Sequence, residues 1–314
     1  MRDFESSLNS EIHRFVILGD SGFIGTHLKR RFQYLFPEME CMGLSYPAID
    51  LTKEGEAGRL AEIFDGHTAV VLLAAIKRQF GDTLDTFLQN MLMTVNIARV
   101  LEKHPVRRFI FFSSTAVYGE DIHNTRITEG TPIQPTSYYG LAKYAAERLL
   151  TKVMSARDGG FLTILRPPLI YGPGDLGATY GPVGFLKAAL HKEPITLWGD
   201  GTELREFLYV EDISEIVCRL ALRAHAGVLN VASGQSYTFR DVLGILSGLL
   251  FSELNITSRQ RTKDKVDNAF DNARFVQLFR DFSFTGLEDG MKLTCAFENK
   301  RQADKAETET VGNP

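Results

Sequence analysis

Cysteine is scarce in this chain of 314 residues, and the three present, Cys41, Cys218 and Cys295, lie far apart. None belongs to a CxxC pair, so no zinc ribbon or dithiol redox centre is encoded locally, and an odd, scattered set suits a reducing cytoplasm. Basic excess is also missing: 35 Lys and Arg stand against 39 Asp and Glu, for a formal net charge of −4. A nucleic-acid backbone needs a cationic field that this balance does not supply. No apolar run reaches membrane-spanning length, and Met1 to Glu11 lacks the cationic stretch and apolar run of a signal peptide. Export and membrane insertion are therefore not expected, and the cytoplasm is the expected compartment. The seven histidines fall in no HExxH-like spacing, so no metal is expected. There is no GxSxG elbow, which disfavours a serine hydrolase.

What the chain does have is alternation. Arg14 to Leu18 is a short apolar run of the kind buried on both faces of a parallel sheet, and it ends at Gly19. After Gly19-Asp20-Ser21-Gly22, the segment Phe23 to Phe36 places Ile24, Leu28, Phe32 and Leu35 at helical spacing, and Pro37 stops it. Further apolar runs at Cys41 to Leu44, Ala69 to Leu73, Phe109 to Phe112 and Leu162 to Leu165 alternate with helix-like stretches around Thr86 to Leu101 and Leu141 to Met154. This pattern predicts an α/β fold, a doubly wound parallel sheet with right-handed crossovers. From Tyr171 the texture changes to glycine and proline turns, where a second, smaller lobe is expected. Residues 1–12 read as an N-terminal extension, 13–171 as the dinucleotide-binding domain, and 172–297 as mainly a substrate-binding lobe with segments returning to the first. Polar Glu298 to Pro314 reads as a disordered tail.

Gly19-xx-Gly22-xx-Gly25 lies between the first strand and the first helix, where glycines let the backbone turn sharply and approach a pyrophosphate at a helix N-terminus. The end of the second strand, normally acidic for NAD or accompanied by arginine for NADP, carries Ser45-Tyr46. Tyr139-Gly-Leu-Ala-Lys143 places a phenol and an ammonium on one helical face. A lysine cation and an oxidised nicotinamide both favour the phenolate, which turns Tyr139 into a base for a sugar hydroxyl. Ser113 to Gly119 follows the run Phe109 to Phe112, at the ligand-binding edge of a parallel sheet. Ser114 there can hydrogen-bond the oxygen that Tyr139 deprotonates.

Taken together the motifs resemble the extended short-chain dehydrogenase/reductase family, in its nucleotide-sugar epimerase and dehydratase group. They are the glycine triplet, Asp50-Leu-Thr52, Leu73-Ala-Ala75, Ser113 to Gly119, Tyr139 to Lys143, Arg166 to Gly174 and Trp198 to Phe207. The resemblance implies a Rossmann-like fold and a catalytic set of Ser114, Tyr139 and Lys143. It implies cofactor contacts from Gly19, Gly22, Phe23, Ile24, Gly25, Ser45, Asp50, Leu51, Ala74, Ala75, Lys77, Asn90 and Pro168, together with Tyr139 and Lys143. It also implies substrate contacts from Ser114, Thr115, Ala116, Leu169, Thr196, Leu197 and Asp271, with Arg205 gripping a diphosphate, as a guanidinium fork suits.

Three departures qualify the match. Thr115-Ala116 replaces the Asp-Glu pair of the 4,6-dehydratases, which removes the acid and base for water elimination. Leu169 replaces an asparagine that contacts substrate phosphates, and the link from Ser45 to Asp50 is short, as in 4-keto-sugar reductases. The Ala75-Ile-Lys77 stretch instead resembles the epimerases. The expected function is an NAD(P)-dependent nucleotide-sugar epimerase acting at C4, with NAD favoured over NADP. The alternatives are a 4-keto-6-deoxy nucleotide-sugar reductase and a non-catalytic dinucleotide sensor. A homodimer is expected from second apolar stripes on the helices around Thr86 to Leu101 and Tyr139 to Val153, although core burial would explain the same stripes.

Overall fold

The apolar runs become the strands of one parallel sheet. The computed structural model describes residues 12–156, 159–177, 181–262 and 264–311. Its sheet strands are β1 (Arg14–Leu18), β2 (Glu40–Leu44), β3 (Thr68–Leu72), β4 (Arg108–Phe112), β5 (Phe161–Arg166) and β6 (Gly227–Asn230), in the order β6-β5-β4-β3-β1-β2. All five pairings are parallel. Helices cover such a sheet on both faces, which is why β3 and β4 are buried at every position and read as continuous apolar runs. The flanking helices that matter here are α1 (Phe23–Leu35), α2 (Leu84–Lys103) and α3 (Tyr138–Ser155). Val16, Leu18, Val70, Leu72, Phe109 and Ile164 from the strands pack with Ile97, Leu101 and Leu150 from α2 and α3 in one apolar cluster.

Strand order reverses between β1 and β3. The backbone N–H groups of Leu73 and Ala74 both donate to the Leu18 carbonyl at 2.9 Å, so the exits of the two strands are tied together at the switch point. Open α/β sheets bind ligands outside the carboxyl ends of their strands at such a point.

The chain divides into two compact units. The first takes in residues through Asp121, then Thr128–Pro167 and Ile213–Val231; the second takes in Ile122–Ile127, Pro168–Asp212 and the chain from Ala232 onward. In the second unit, pairs of short strands replace a large sheet: Ile195–Trp198 with Ile256–Arg259, Leu169–Tyr171 with Phe207–Tyr209, Leu204–Arg205 with Tyr237–Thr238, and Asn124–Ile127 with Asn268–Phe270. Its own apolar cluster gathers Phe185, Leu186, Leu197, Phe207, Leu246 and Met291.

The expected tail is corrected in part. The last helix runs Leu287–Val311, so the chain from Glu298 to Val311 is helical. Glu298 is 1% exposed and ion-paired with Arg301 at 2.8 Å, one helical turn away. The Ala-, Glu- and Lys-rich composition that lacks an apolar period still has high helix propensity, and the preceding packed turns supply the nucleus. The extension 1–12 lies outside the described residues except for Ile12, which is buried. Among the described residues no helix is long and apolar enough to cross a membrane.

Candidate active site

The glycine turn is built to be closely approached. Gly19 has φ 103°, and a Cβ there would lie 2.7 Å from the Ala74 nitrogen. A Cβ on Gly25 would lie 2.2 Å from the Gly19 carbonyl oxygen, so the third glycine lets α1 start against the turn. No side chain caps the N-terminus of α1 at Gly22, and its first turn carries no acid. Uncapped N–H groups with the helix dipole behind them suit a pyrophosphate, so these residues fit a dinucleotide. Phe23 and Lys77 are brought together, with the Lys77 ammonium 5.9 Å from the ring centroid. Asn90 uses both ends of its amide on Ile76, accepting from its N–H at 2.8 Å and donating to its carbonyl at 3.1 Å, and thereby fixes the loop that carries Ala75 and Lys77. Asp50 accepts from the Thr52 hydroxyl and backbone N–H, which hold its carboxyl below the usual range, and Leu51 packs in the apolar core. Leu51 can therefore meet a ligand only through its backbone.

Ser114, Tyr139 and Lys143 converge at the carboxyl end of β4. Ser137 caps α3 by accepting from the Gly140 N–H at 3.1 Å, and the Tyr139 N–H donates to Asp82 at 3.0 Å. Gly140 decides how close α3 comes: a Cβ there would sit 2.7 Å from the Ala116 carbonyl oxygen. With that contact allowed, the Ser114 hydroxyl lies close enough to the Tyr139 phenol to act on its ionisation. Burial and the nearby Glu120 carboxylate push the phenol up to about 12, with the Ser114 hydroxyl acting the other way. Lys143 is 6% exposed and donates to the Phe112 carbonyl at 2.6 Å. Its ammonium lies 5.7 Å from the Tyr139 ring centroid. Burial pulls its pKa down to about 7; Glu147 opposes this and Lys77 adds to it. A buried amine that gives up its proton near neutrality, beside a phenol and a serine, is the equipment for moving one proton to and from an alcohol. Thr115 and Ala116 follow, the latter buried, and neither has an ionisable group.

Beneath the trio lies a polar layer that sequence reading did not assign. Glu147, one turn after Lys143, is 2% exposed; it accepts from Ser113 Oγ and from Arg166 Nε at 2.9 Å and Nη2 at 2.5 Å. Arg166, 4% exposed, also donates to the Tyr118 hydroxyl at 2.9 Å, which donates to Asn230 Oδ1 at 2.7 Å. The layer ties β4, α3, β5 and β6 together directly below Ser114.

In the second unit, Arg205 Nη1 donates to the Leu204 and Val266 carbonyls at 2.8 and 2.5 Å. Its Nε and Nη2 edge makes no hydrogen bond to a described residue, and Glu203 stands 3.8 Å from Nη2. Sequence reading missed Arg261, which binds the same Glu203 and reaches Asp200 at 3.1 Å. It lies 58 residues from Glu203, and only pairing of the strands Ile195–Trp198 and Ile256–Arg259 brings it there. No spacing signal could have found it. Next to Arg205, Glu206 is buried and accepts from the Gly234 N–H at 3.2 Å; burial lifts its carboxyl to about 7.

Leu169 is a strand residue paired with Phe207, and Pro168 precedes it. Thr196 shares a hydrogen bond of 3.0 Å with Thr257, whereas Leu197 packs into the core, so Thr196 is the one of the two with a side chain left to meet a ligand. Asp271 is occupied locally, accepting from the Ala273 N–H at 3.0 Å and facing Arg126 at 3.7 Å.

Comparison with known proteins gives the family. The model of the NAD dependent epimerase/dehydratase family matches residues 15–232, and the chain belongs to that family. The N-acetyl-alpha-D-glucosaminyl-diphospho-ditrans,octacis-undecaprenol 4-epimerase of Escherichia coli O157:H7 is 31% identical over 64% of this chain, and the match spans 61% of that relative's length. The UDP-glucose 4-epimerase of Thermus thermophilus, solved in complex with NAD, superposes with a TM-score of 0.80 at 24% identity, covering 91% of this chain and 99% of that one. The UDP-N-acetylglucosamine 4-epimerase of Methanobrevibacter ruminantium, in complex with UDP-N-acetylmuramic acid, superposes with a TM-score of 0.79 at 22% identity, covering 93% of this chain and 99% of that one.

Proposed function

We propose that the chain is an NAD-dependent nucleotide-sugar epimerase acting at C4. The observation that carries this reading is the convergence of Ser114, Tyr139 and Lys143 at the edge of β4, in the same unit as an uncapped glycine turn. NAD, when bound, supplies the acceptor and later the donor of hydride. Tyr139 takes the proton of the C4 hydroxyl and returns it when the alcohol re-forms. Ser114 donates a hydrogen bond to the oxygen as charge develops, and Lys143 sets the proton affinity of the phenol. The alcohol loses one hydride and one proton to give a ketone, and regains both, so inversion follows from return to the opposite face. Arg205, whose Nη2 faces Glu203 at 3.8 Å, and Arg261, a second cation, are offered to the diphosphate. Thr115 and buried Ala116 put no Asp-Glu pair directly after Ser114 for dehydration.

A reductase of 4-keto sugars would use the same residues once, and the short connection after Ser45, with β2 as the sheet's edge strand, favours that second reading. Assaying dinucleotide released on denaturation, and incubating the protein with UDP-, GDP-, CDP- and dTDP-sugars, separates the two. Bound NAD with epimerisation in the absence of added cofactor is expected. An empty protein that consumes NADPH only with a 4-keto sugar would make it a reductase.

A second copy of the chain is the partner this reading includes. On α2, Leu84, Leu88 and Leu92 recur at four-residue spacing and are about half exposed, while Met93, Ile97 and Leu101 on another face are buried. Tyr138 and Leu141 on α3 are exposed as well. Such a row supports a two-fold helical interface. Light scattering should give twice the chain mass at micromolar concentration, and Leu88→Glu should halve it; a single-chain mass for the unaltered protein would remove the dimer.

A further inference from the structure

The second strand ends without the acid that an adenosine ribose is ordinarily read by, yet a carboxylate is present at that place. It comes from Asp20 in the glycine turn. Ser45 Oγ, at the end of β2, donates to Asp20 Oδ1 at 2.6 Å and accepts from the Ser21 N–H at 3.0 Å. Lys29 Nζ, on α1, donates to Asp20 Oδ2 at 2.8 Å. Gly43, on β2, leaves the room: a Cβ there would lie 1.9 Å from Oδ2 and 2.2 Å from Cγ. Any larger residue at 43 would evict the carboxylate. A side chain growing from position 45 starts where the Ser45 hydroxyl stands, so Asp20 Oδ1 lies within one hydrogen bond of the place where an acid on β2 would put its oxygens.

We infer that Asp20 is the cofactor-specificity residue of this chain, binding the ribose diol of the adenosine half of NAD from the glycine turn in place of an acid on β2. An ionised carboxylate has about four acceptor sites, and Ser45 and Lys29 occupy one on each oxygen. The remaining two match the two O–H donors of a 2′,3′-diol. Burial alone would raise the acid, but the bonds from Lys29 and Ser45 hold it below its ordinary range, so it is charged at neutral pH. A 2′-phosphate would bring about two further negative charges against it, and the Asp20–Lys29 pair, at 2.8 Å, carries no net positive charge to offset them.

The inference rests on the dinucleotide part of the proposed function and not on the sugar chemistry, so binding is measured without sugar. NAD+ and NADP+ are titrated by calorimetry into the full chain freed of co-purified dinucleotide, and the ratio of the two Kd values is the readout. Asp20→Asn keeps the shape and the Ser45 contact and removes the charge; it should narrow the preference for NAD by about tenfold or more, the range of a hydrogen bond to a charged group. Lys29→Ala leaves the carboxylate uncompensated and should widen that preference. An unchanged ratio in Asp20→Asn, with a wild-type melting temperature, overturns the inference and leaves Asp20 as a clip within the turn. Should Asp20→Asn fail to fold, Lys29→Ala decides alone: a widened ratio supports the inference and an unchanged one overturns it. A failed epimerase assay with intact NAD selectivity would remove the sugar reading only, whereas a wild-type chain that binds neither dinucleotide removes both.

Discussion

Tyr139→Phe should lower kcat by about 10³-fold, within the usual contribution of a general acid–base group, while leaving NAD affinity within a few-fold. The substitution keeps the ring that lies 5.7 Å from the Lys143 ammonium and removes only the hydroxyl. Loss of rate with retained binding is the mark of a group that acts in the transition state. The same variant isolates the ionisation of the phenol. Tyr139 is held up at about 12 by burial and by Glu120, and Lys143 is brought down to about 7. A positive charge near a phenol favours its anion, so adding NAD+ should move the tyrosinate transition, read as the ultraviolet difference between wild type and Tyr139→Phe, to lower pH. A phenol that stays near 12 with NAD+ bound would take the role of base away from Tyr139.

Removing one partner of the buried ion pair should cost more stability than any surface change. Glu147→Ala leaves Arg166 charged among groups 4% exposed or less, and breaking such a pair typically costs about 3–5 kcal/mol. Arg166→Ala does the same to the carboxylate. Replacing both together, Glu147→Leu with Arg166→Met, removes the stranded charge, and urea unfolding should return much of the loss, since apolar replacements of buried pairs are often near neutral. The activity of that double variant should not return. Ser113, which donates to Glu147, is the residue before Ser114, and Glu147 is the carboxylate that opposes the fall in the Lys143 pKa. Without it the amine should lose its proton at still lower pH, because the charged form has lost its nearest anion. A double variant with wild-type activity would reduce the polar layer to a packing element.

Local order determined a large share of what was legible. Strand β1 is Arg14–Leu18 in the structure as in the sequence, because four consecutive apolar residues after Arg14, ending at a glycine, read as a buried strand. Helix α1 ends at Leu35, one residue short of the expected Phe36, which serves as its cap before Pro37. The Tyr139 and Lys143 pair is a helical i,i+4 relation, and Ser114 is set by the end of an apolar strand; each follows from spacing alone. The α/β class and the family membership of residues 15–232 belong to this same level.

Contacts between distant segments needed the tertiary structure. The second unit takes a strand from Asn124–Ile127 and gives up Ile213–Val231 to the first, because strand pairing selects partners across the chain and composition does not record it. Arg261 reaches Glu203 only through such a pairing. Glu147 and Arg166 read singly as ordinary charged residues, and burial against each other gives them their energetic weight. Glu298 looks like the start of a solvated tail until it is buried in the last helix. At the end of β2 the sequence records a serine where an acid is expected. Folding places Gly43, Ser45 and Lys29 around Asp20 and so puts a carboxylate there from another element, since a binding site is specified by where atoms lie and not by which strand carries them.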